Sequence, residues 1–233
     1  MKGKTHIAFG CMLGAVATVA TYKSLGTGDP IIYGSTILVG TGIGSLVPDI
    51  DAENALITQK LGLAGKVVAK GLKHRGITHT LLGLFIFALL SLALSSLVNA
   101  LYDGGIVGRF LVAGVMTLIF SCLYKRIEFI RVSLRKLFKQ KASVTKLISY
   151  TLVFLTVAIL SDYFIQFIQV FSLSLILGYL SHLISDSFNV SGCPWLYPFV
   201  NKYYSVGKFK TGQNDGVFLS GALVVMLIAL VLV

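Results

Sequence analysis

His182, Ser185, Asp186 and Asn189 fall at the end of a long apolar segment, and their types belong to metal or proton chemistry rather than to lipid contact. On a helix, residues four apart share a face, so His182 and Asp186 can present an imidazole and a carboxylate to one ion. Alone, H-x-x-x-D is weak evidence, because a buried histidine paired with an aspartate has the same spacing. Three further groups add weight: His6, the run Pro48-Asp49-Ile50-Asp51, and the run His74-Arg75-Gly76-Ile77-Thr78-His79. With them, all 4 histidines of the chain are used. Neutral imidazole nitrogens and ionised carboxylates suit zinc, manganese or iron, and an open coordination position would take water or substrate. Asp49 and Asp51 sit just after a proline, on a turn where both carboxylates can point inward or one can hold a ligand histidine by its second nitrogen.

The elements that must position these groups are membrane helices. A chain of 233 residues with 55% hydrophobic content, only 12% charged residues and a mean hydropathy of +0.85 is too apolar for an ordinary soluble domain. Since a helix needs about 20 mostly apolar residues to cross the hydrocarbon core, seven segments qualify: 5–22, 31–47, 77–99, 105–124, 147–165, 168–187 and 217–233. Some are short enough to be re-entrant. The first follows Lys2 and Lys4 like a signal peptide, but it lacks a polar region with a small-residue cleavage site and is read as retained.

Short loops rich in Lys and Arg stay in the cytoplasm. With the N-terminus inside, every basic residue except Lys23 and Arg109 falls on the cytoplasmic side, so the net charge of +11 is mostly a topology signal. In that topology His6 begins the first span, Asp49 and Asp51 follow the second, His79 begins the third, and His182 with Asp186 ends the sixth. All converge on one leaflet, where ionisable groups are costly unless they pair or serve a function.

The connecting segments carry their own patterns. Leu56, Leu61, Val67, Val68 and Leu72 alternate with Lys60, Lys66, Lys70 and Lys73, which predicts a surface helix over 55–73 along the headgroups. Residues 125–146 read as a second, strongly basic interfacial helix facing anionic lipid. No aromatic platform accompanies these charges, so no nucleic-acid partner is expected. The segment 188–216 is turn-rich, with Trp195, Tyr197, Tyr203 and Tyr204 placed to sit at the interface. Glycines 10, 14, 40, 42 and 44 let helices approach closely. The 3 cysteines show no pairing pattern, and Cys193 stands between turn residues rather than in a ligand spacing.

The ordered set of His6, Pro48-Asp49-Ile50-Asp51, His74-Arg75-Gly76-Ile77-Thr78-His79, Gly178 to Asp186 and Pro194-Trp195-Leu196-Tyr197-Pro198 resembles the bacterial YdjM-like, inner-membrane, metal-dependent hydrolase family over nearly the whole chain. The resemblance implies a metal-dependent hydrolase with motifs likened to those of zinc-dependent phospholipase C. It also implies an acidic residue after a Thr-Gly stretch near the C-terminus, where Asp215 stands in place of the glutamate expected.

The expectation is therefore an all-α, polytopic membrane bundle of about six or seven transmembrane or re-entrant helices plus interfacial amphipathic helices, forming one domain over 1–233. It would lie in the bacterial cytoplasmic (inner) membrane with its site facing the cytoplasm. One or two divalent ions, Zn2+ or else Mn2+ or Fe2+, would be held by His6, Asp49, Asp51, His74, His79, His182 and Asp186. Asp49, His79 and Asp186 would take the catalytic roles. Arg75, Lys208 and Lys210 would hold the substrate, a phosphoester and in particular a lipid-linked one, with membrane lipids as partners. Two rivals use the same residues. One is a non-enzymatic protein whose metal is structural or regulatory; the other is a transporter, which would need ionisable groups spread along a path across the bilayer.

Overall fold

The computed structural model describes residues 3–25, 30–72, 75–103, 105–124, 142–159, 161–207, 209–210 and 215–232. Nine helices carry them: α1 (Gly3–Leu25), α2 (Pro30–Gly44), α3 (Leu56–Leu61), α4 (Leu63–Gly71), α5 (Leu81–Asp103), α6 (Ile106–Tyr124), α7 (Ala142–Ile159), α8 (Ser161–Ser187) and α9 (Asp215–Leu232). Two short 3-10 turns, Val47–Asp51 and Ile77–His79, bear the histidine and aspartate motifs. No strand forms among the described residues, which show only the isolated bridges Asn189–Phe209 and Cys193–Tyr204.

Four stretches are long and apolar enough to cross a membrane: Gly3–Lys23, Ile31–Asp51, Leu81–Asp103 and Ile165–Ser187. The expected spans at 105–124, 147–165 and 217–233 correspond to helices α6, α7 and α9, but only four of the seven meet the span criterion among the described residues. The gap expected at 166–167 does not exist. Gln166 and Phe167 lie inside α8, because neither is a helix breaker and no Gly or Pro stands nearby to stop the helix. The single surface helix expected over 55–73 is two helices. Gly62, at φ 66, takes a left-handed conformation that a residue with a Cβ adopts only under strain, and the chain turns there. The basic helix expected over 125–146 falls outside the described residues up to 141.

The chain divides into two compact units. One, residues 94–168, packs α6 against α7, with Phe110 and Phe154 stacked at 5.9 Å and Arg109 lying over the Tyr102 ring. The other, residues 1–93 and 169–233, holds every described candidate site residue. There α1 packs along α2 and α9. A Cβ on Gly10 or Gly14 would meet Thr41, and one on Gly44 would stand 2.1 Å from the Leu175 carbonyl oxygen. Gly178 on α8 likewise has no room for a side chain against Thr41 and Gly44. Small residues thus bring α2 and α8 nearly backbone to backbone, as lipid-embedded helices require for tight packing. Hydroxyls within these helices bond their own backbone, as Thr41 does to Ile37 and Ser187 to Leu183, so they need no water. Outward, Phe85, Leu89 and Leu90 of α5 are exposed, an apolar belt suited to acyl chains.

Candidate metal centre

Four helix ends meet at one place: the start of α1, the turn after α2, the turn before α5 and the end of α8. His6, Asp49, His79, His182 and Asp186 come from these ends, and the three imidazoles are wholly buried. They form two overlapping groups able to hold a metal ion, His6–His182–Asp186 and Asp49–His79–His182, with ligand atoms of each group within 4.8 Å of one another.

Each imidazole is held by one nitrogen and offers the other. Ser185 donates its hydroxyl to the His182 carbonyl at 2.9 Å, so its oxygen accepts from His6 Nδ1 at 2.8 Å. His182 Nδ1 donates to the Ser45 carbonyl at 2.7 Å, a contact made possible by the close approach of α2 and α8. His79 Nδ1 faces Asp51 Oδ2 at 3.2 Å. In all three the Nε2 atom is directed at the common pocket: His6 Nε2 lies 3.6 Å from Asp186 Oδ1, and those of His79 and His182 lie 3.7 Å from Asp49 Oδ1. Partners of this kind fix tautomer and ring orientation at metal-binding histidines. His79 Nε2 and His182 Nε2 stand 3.2 Å apart. Two bare lone pairs do not sit at that distance unaided, so either a proton or a cation must lie between them. The donor set of imidazole nitrogens and carboxylates fits a divalent ion of the zinc, manganese or iron type.

Asp51 stands behind His79 rather than in either ligand group. Its fully buried Oδ2 accepts from the Thr78 hydroxyl and the Arg75 backbone N–H as well as from His79, which satisfies the charge. Burial opposes charge on His79, yet the carboxylates of Asp49 and Asp51 outweigh it and raise the imidazole to about 9. To donate its N–H to Asp51, Arg75 adopts φ 56, a region that non-glycine residues rarely occupy. Its guanidinium, a quarter exposed, reaches 4.0 Å from Asp186 Oδ2. Asp49, 18% exposed, is the most accessible of the grouped carboxylates.

His74 and Lys208 lie outside the described residues. Lys210 is exposed, next to Phe209, which is tied by backbone bonds to Phe188 and Val190. Asp215 opens α9, the helix that packs along α1. Cys193 is no ligand: its buried thiol donates to the His79 carbonyl at 3.1 Å, and burial pushes its pKa up to about 12. Supporting residues include Ser45, which acts through its carbonyl and has no sequence signal, and Tyr179 of the Gly178 to Asp186 motif, whose hydroxyl holds the Thr78 carbonyl. Trp195 fastens the 188–207 segment to the centre by donating to Ser187, while its carbonyl accepts from Leu81.

Fold and site together define a helical membrane protein with a buried histidine–aspartate centre at one end of its spanning helices. The chain belongs to the YdjM inner membrane protein family, whose model matches residues 1–125 and 144–233. No curated protein and no solved structure matches it.

Proposed function

We propose that this chain is a metal-dependent hydrolase cleaving a phosphoester, most naturally one carried by a membrane lipid, at the cytoplasmic face of the inner membrane. The observation that carries the reading is the convergence of three oriented Nε2 atoms and two carboxylates from four helix ends. One ion is favoured over two. His182 belongs to both groups, and with Nδ1 committed to Ser45 it has one nitrogen to give.

A divalent ion bound there would lower the pKa of a coordinated water and stabilise charge on a phosphoryl oxygen. Asp49, the accessible carboxylate, is placed to take the proton as water oxygen bonds to phosphorus and the bond to the leaving oxygen breaks. Arg75, at the pocket edge, suits the phosphoryl oxygens with its planar fork. Lys210 is a second candidate for the same anion.

The deep burial of the imidazoles favours one other reading, a structural ion with a closed shell. Elemental analysis of the untagged protein beside His182→Ala, followed by a phosphoester screen, separates the two. About one equivalent of metal, lost in the variant, together with phosphoester hydrolysis that chelation removes and added metal restores, supports the enzyme. Metal without any turnover supports the structural ion, and wild type without metal after reconstitution overturns both.

A further inference from the structure

Asn189 is 2% exposed and lies three residues beyond Asp186, where the chain leaves α8. Its backbone is fixed on several sides. Its N–H donates to the Asp186 carbonyl, its own carbonyl accepts from Gly192 N–H and the Ser205 hydroxyl, and it pairs with Phe209. The side chain is equally constrained at one end, since Nδ2 donates to Asp186 Oδ1 at 3.1 Å. The other end is not. Among the described residues Asn189 Oδ1 is the one buried side-chain oxygen or nitrogen left without a hydrogen-bond partner.

A buried carbonyl oxygen with no donor costs free energy comparable to a lost hydrogen bond, and native proteins leave few such atoms. Rotating the amide by half a turn would not remove the difficulty, because Oδ1 would then face the Asp186 carboxylate, another acceptor. The orphan therefore wants a donor that the polypeptide does not supply. Both amide ends branch from one carbon, and Nδ2 sits on the carboxylate whose Oδ1 is 3.6 Å from His6 Nε2, so Asn189 Oδ1 lies beside the Asp186 carboxylate, next to the centre.

We infer that Asn189 is a positioning residue for the centre, holding Asp186 through Nδ2 and accepting a hydrogen from a pocket-bound water or hydroxyl through Oδ1. The inference rests on the metal reading of the site and goes beyond it by naming the acceptor that orients the oxygen species. Neutral and acceptor-only at that end, an amide oxygen orients a water hydrogen without adding charge to the pocket. No role for this residue follows from the ligand spacing alone, since Asn189 is not among the grouped ligands.

The test uses the full chain loaded with Co(II), read by binding isotherm and visible spectrum. Asn189→Leu removes both ends of the amide; Asn189→Asp keeps an acceptor oxygen and loses the donor. Affinity in Asn189→Leu should fall about 10- to 100-fold with altered visible bands, and Asn189→Asp, which sets a second carboxylate beside Asp186 in place of the donor, should alter the bands as well. Unchanged affinity and bands in Asn189→Leu would overturn the inference. So would wild-type bands in Asn189→Asp, since Asp186 would then need no donor from this residue; that variant alone decides the matter if the leucine variant fails to fold. Wild type that binds no Co(II) brings down the metal reading and this inference with it.

Discussion

Three imidazoles whose Nδ1 atoms each face a fixed acceptor turn their Nε2 atoms towards one another and towards Asp49 and Asp186. Asp51 is the most consequential of those acceptors, being charged, fully buried and bonded by three donors. Asp51→Asn should leave the helices intact by circular dichroism but weaken Zn2+ binding about 10- to 100-fold, because an amide holds the His79 ring less firmly. His79 also sets a pH dependence. With its pKa raised to about 9, the ring is charged in the metal-free protein at neutral pH, and the ion must displace that proton. Affinity should therefore climb with pH up to about 9 and level off above it, which isotherms at several pH values would show; a flat profile from pH 7 to 9 would rule out a charged His79. The same shift means that this group's contribution to metal-free stability is complete below the ordinary 6.5 and is lost as pH rises through about 9. The side chains that the structure groups were legible in the sequence because His and Asp stand out against an apolar chain that otherwise excludes them. Ser45 was not, since any residue has a carbonyl, and Asp51 could not be told from Asp49 while both were simply carboxylates after a proline.

At the scale of elements, the centre depends on how closely α2 and α8 approach, because His182 finds the Ser45 carbonyl only across that contact. Gly44→Ala would drive a methyl group into the Leu175 carbonyl, 2.1 Å from the ideal Cβ. Overpacking of this kind costs about 1–3 kcal/mol, so Gly44→Ala should lower the Tm and weaken metal binding together. Gly71→Ala, with nothing within 4 Å of its Cβ, should leave metal binding unchanged. Helix α4 presents a second case. It packs on the Val47–Asp51 turn and on α3, where buried Gly65 lies against Thr58 and Leu61, and turns Leu63, Lys66, Val67 and Lys70 outward. That face fits an anionic headgroup layer. Hydrogen exchange over 62–71 should be slower in nanodiscs containing phosphatidylglycerol than in phosphatidylcholine alone, and Lys66→Glu with Lys70→Glu should erase the difference. Periodicity revealed this amphipathic face but not its division at Gly62, because an isolated glycine within an apolar and basic pattern does not announce its φ. Glycines 10, 14, 40 and 44 were readable as contact points; Gly178, hidden inside the Gly-Tyr-Leu-Ser-His motif, was not singled out as one.

For the whole molecule, function depends on which membrane face holds the centre and on how many helices cross. The start of α1, the end of α2, the start of α5 and the end of α8 share one end of the fold, so the four clear spans alternate in direction. The distribution of Lys and Arg is the ground on which we propose that this end faces the cytoplasm. The four candidate spans were legible because apolar length acts over whole segments. The number was harder to read, because α6, α7 and α9, though apolar, have only 18 or 19 residues each, at the lower edge of what crosses the hydrocarbon core. Alkaline phosphatase, active only outside the cytoplasm, can decide both points when fused at successive positions. Fusions after Glu53 and Tyr204 should be inactive, and one after Asp103 should be active. A fusion after Lys136 distinguishes the counts: it should be inactive if α6 and α7 both cross, as the seven-span arrangement requires, and active if they do not. Activity at Glu53 would place the histidine–aspartate centre on the opposite face and remove the cytoplasmic phosphoester as its substrate, whatever metal it holds.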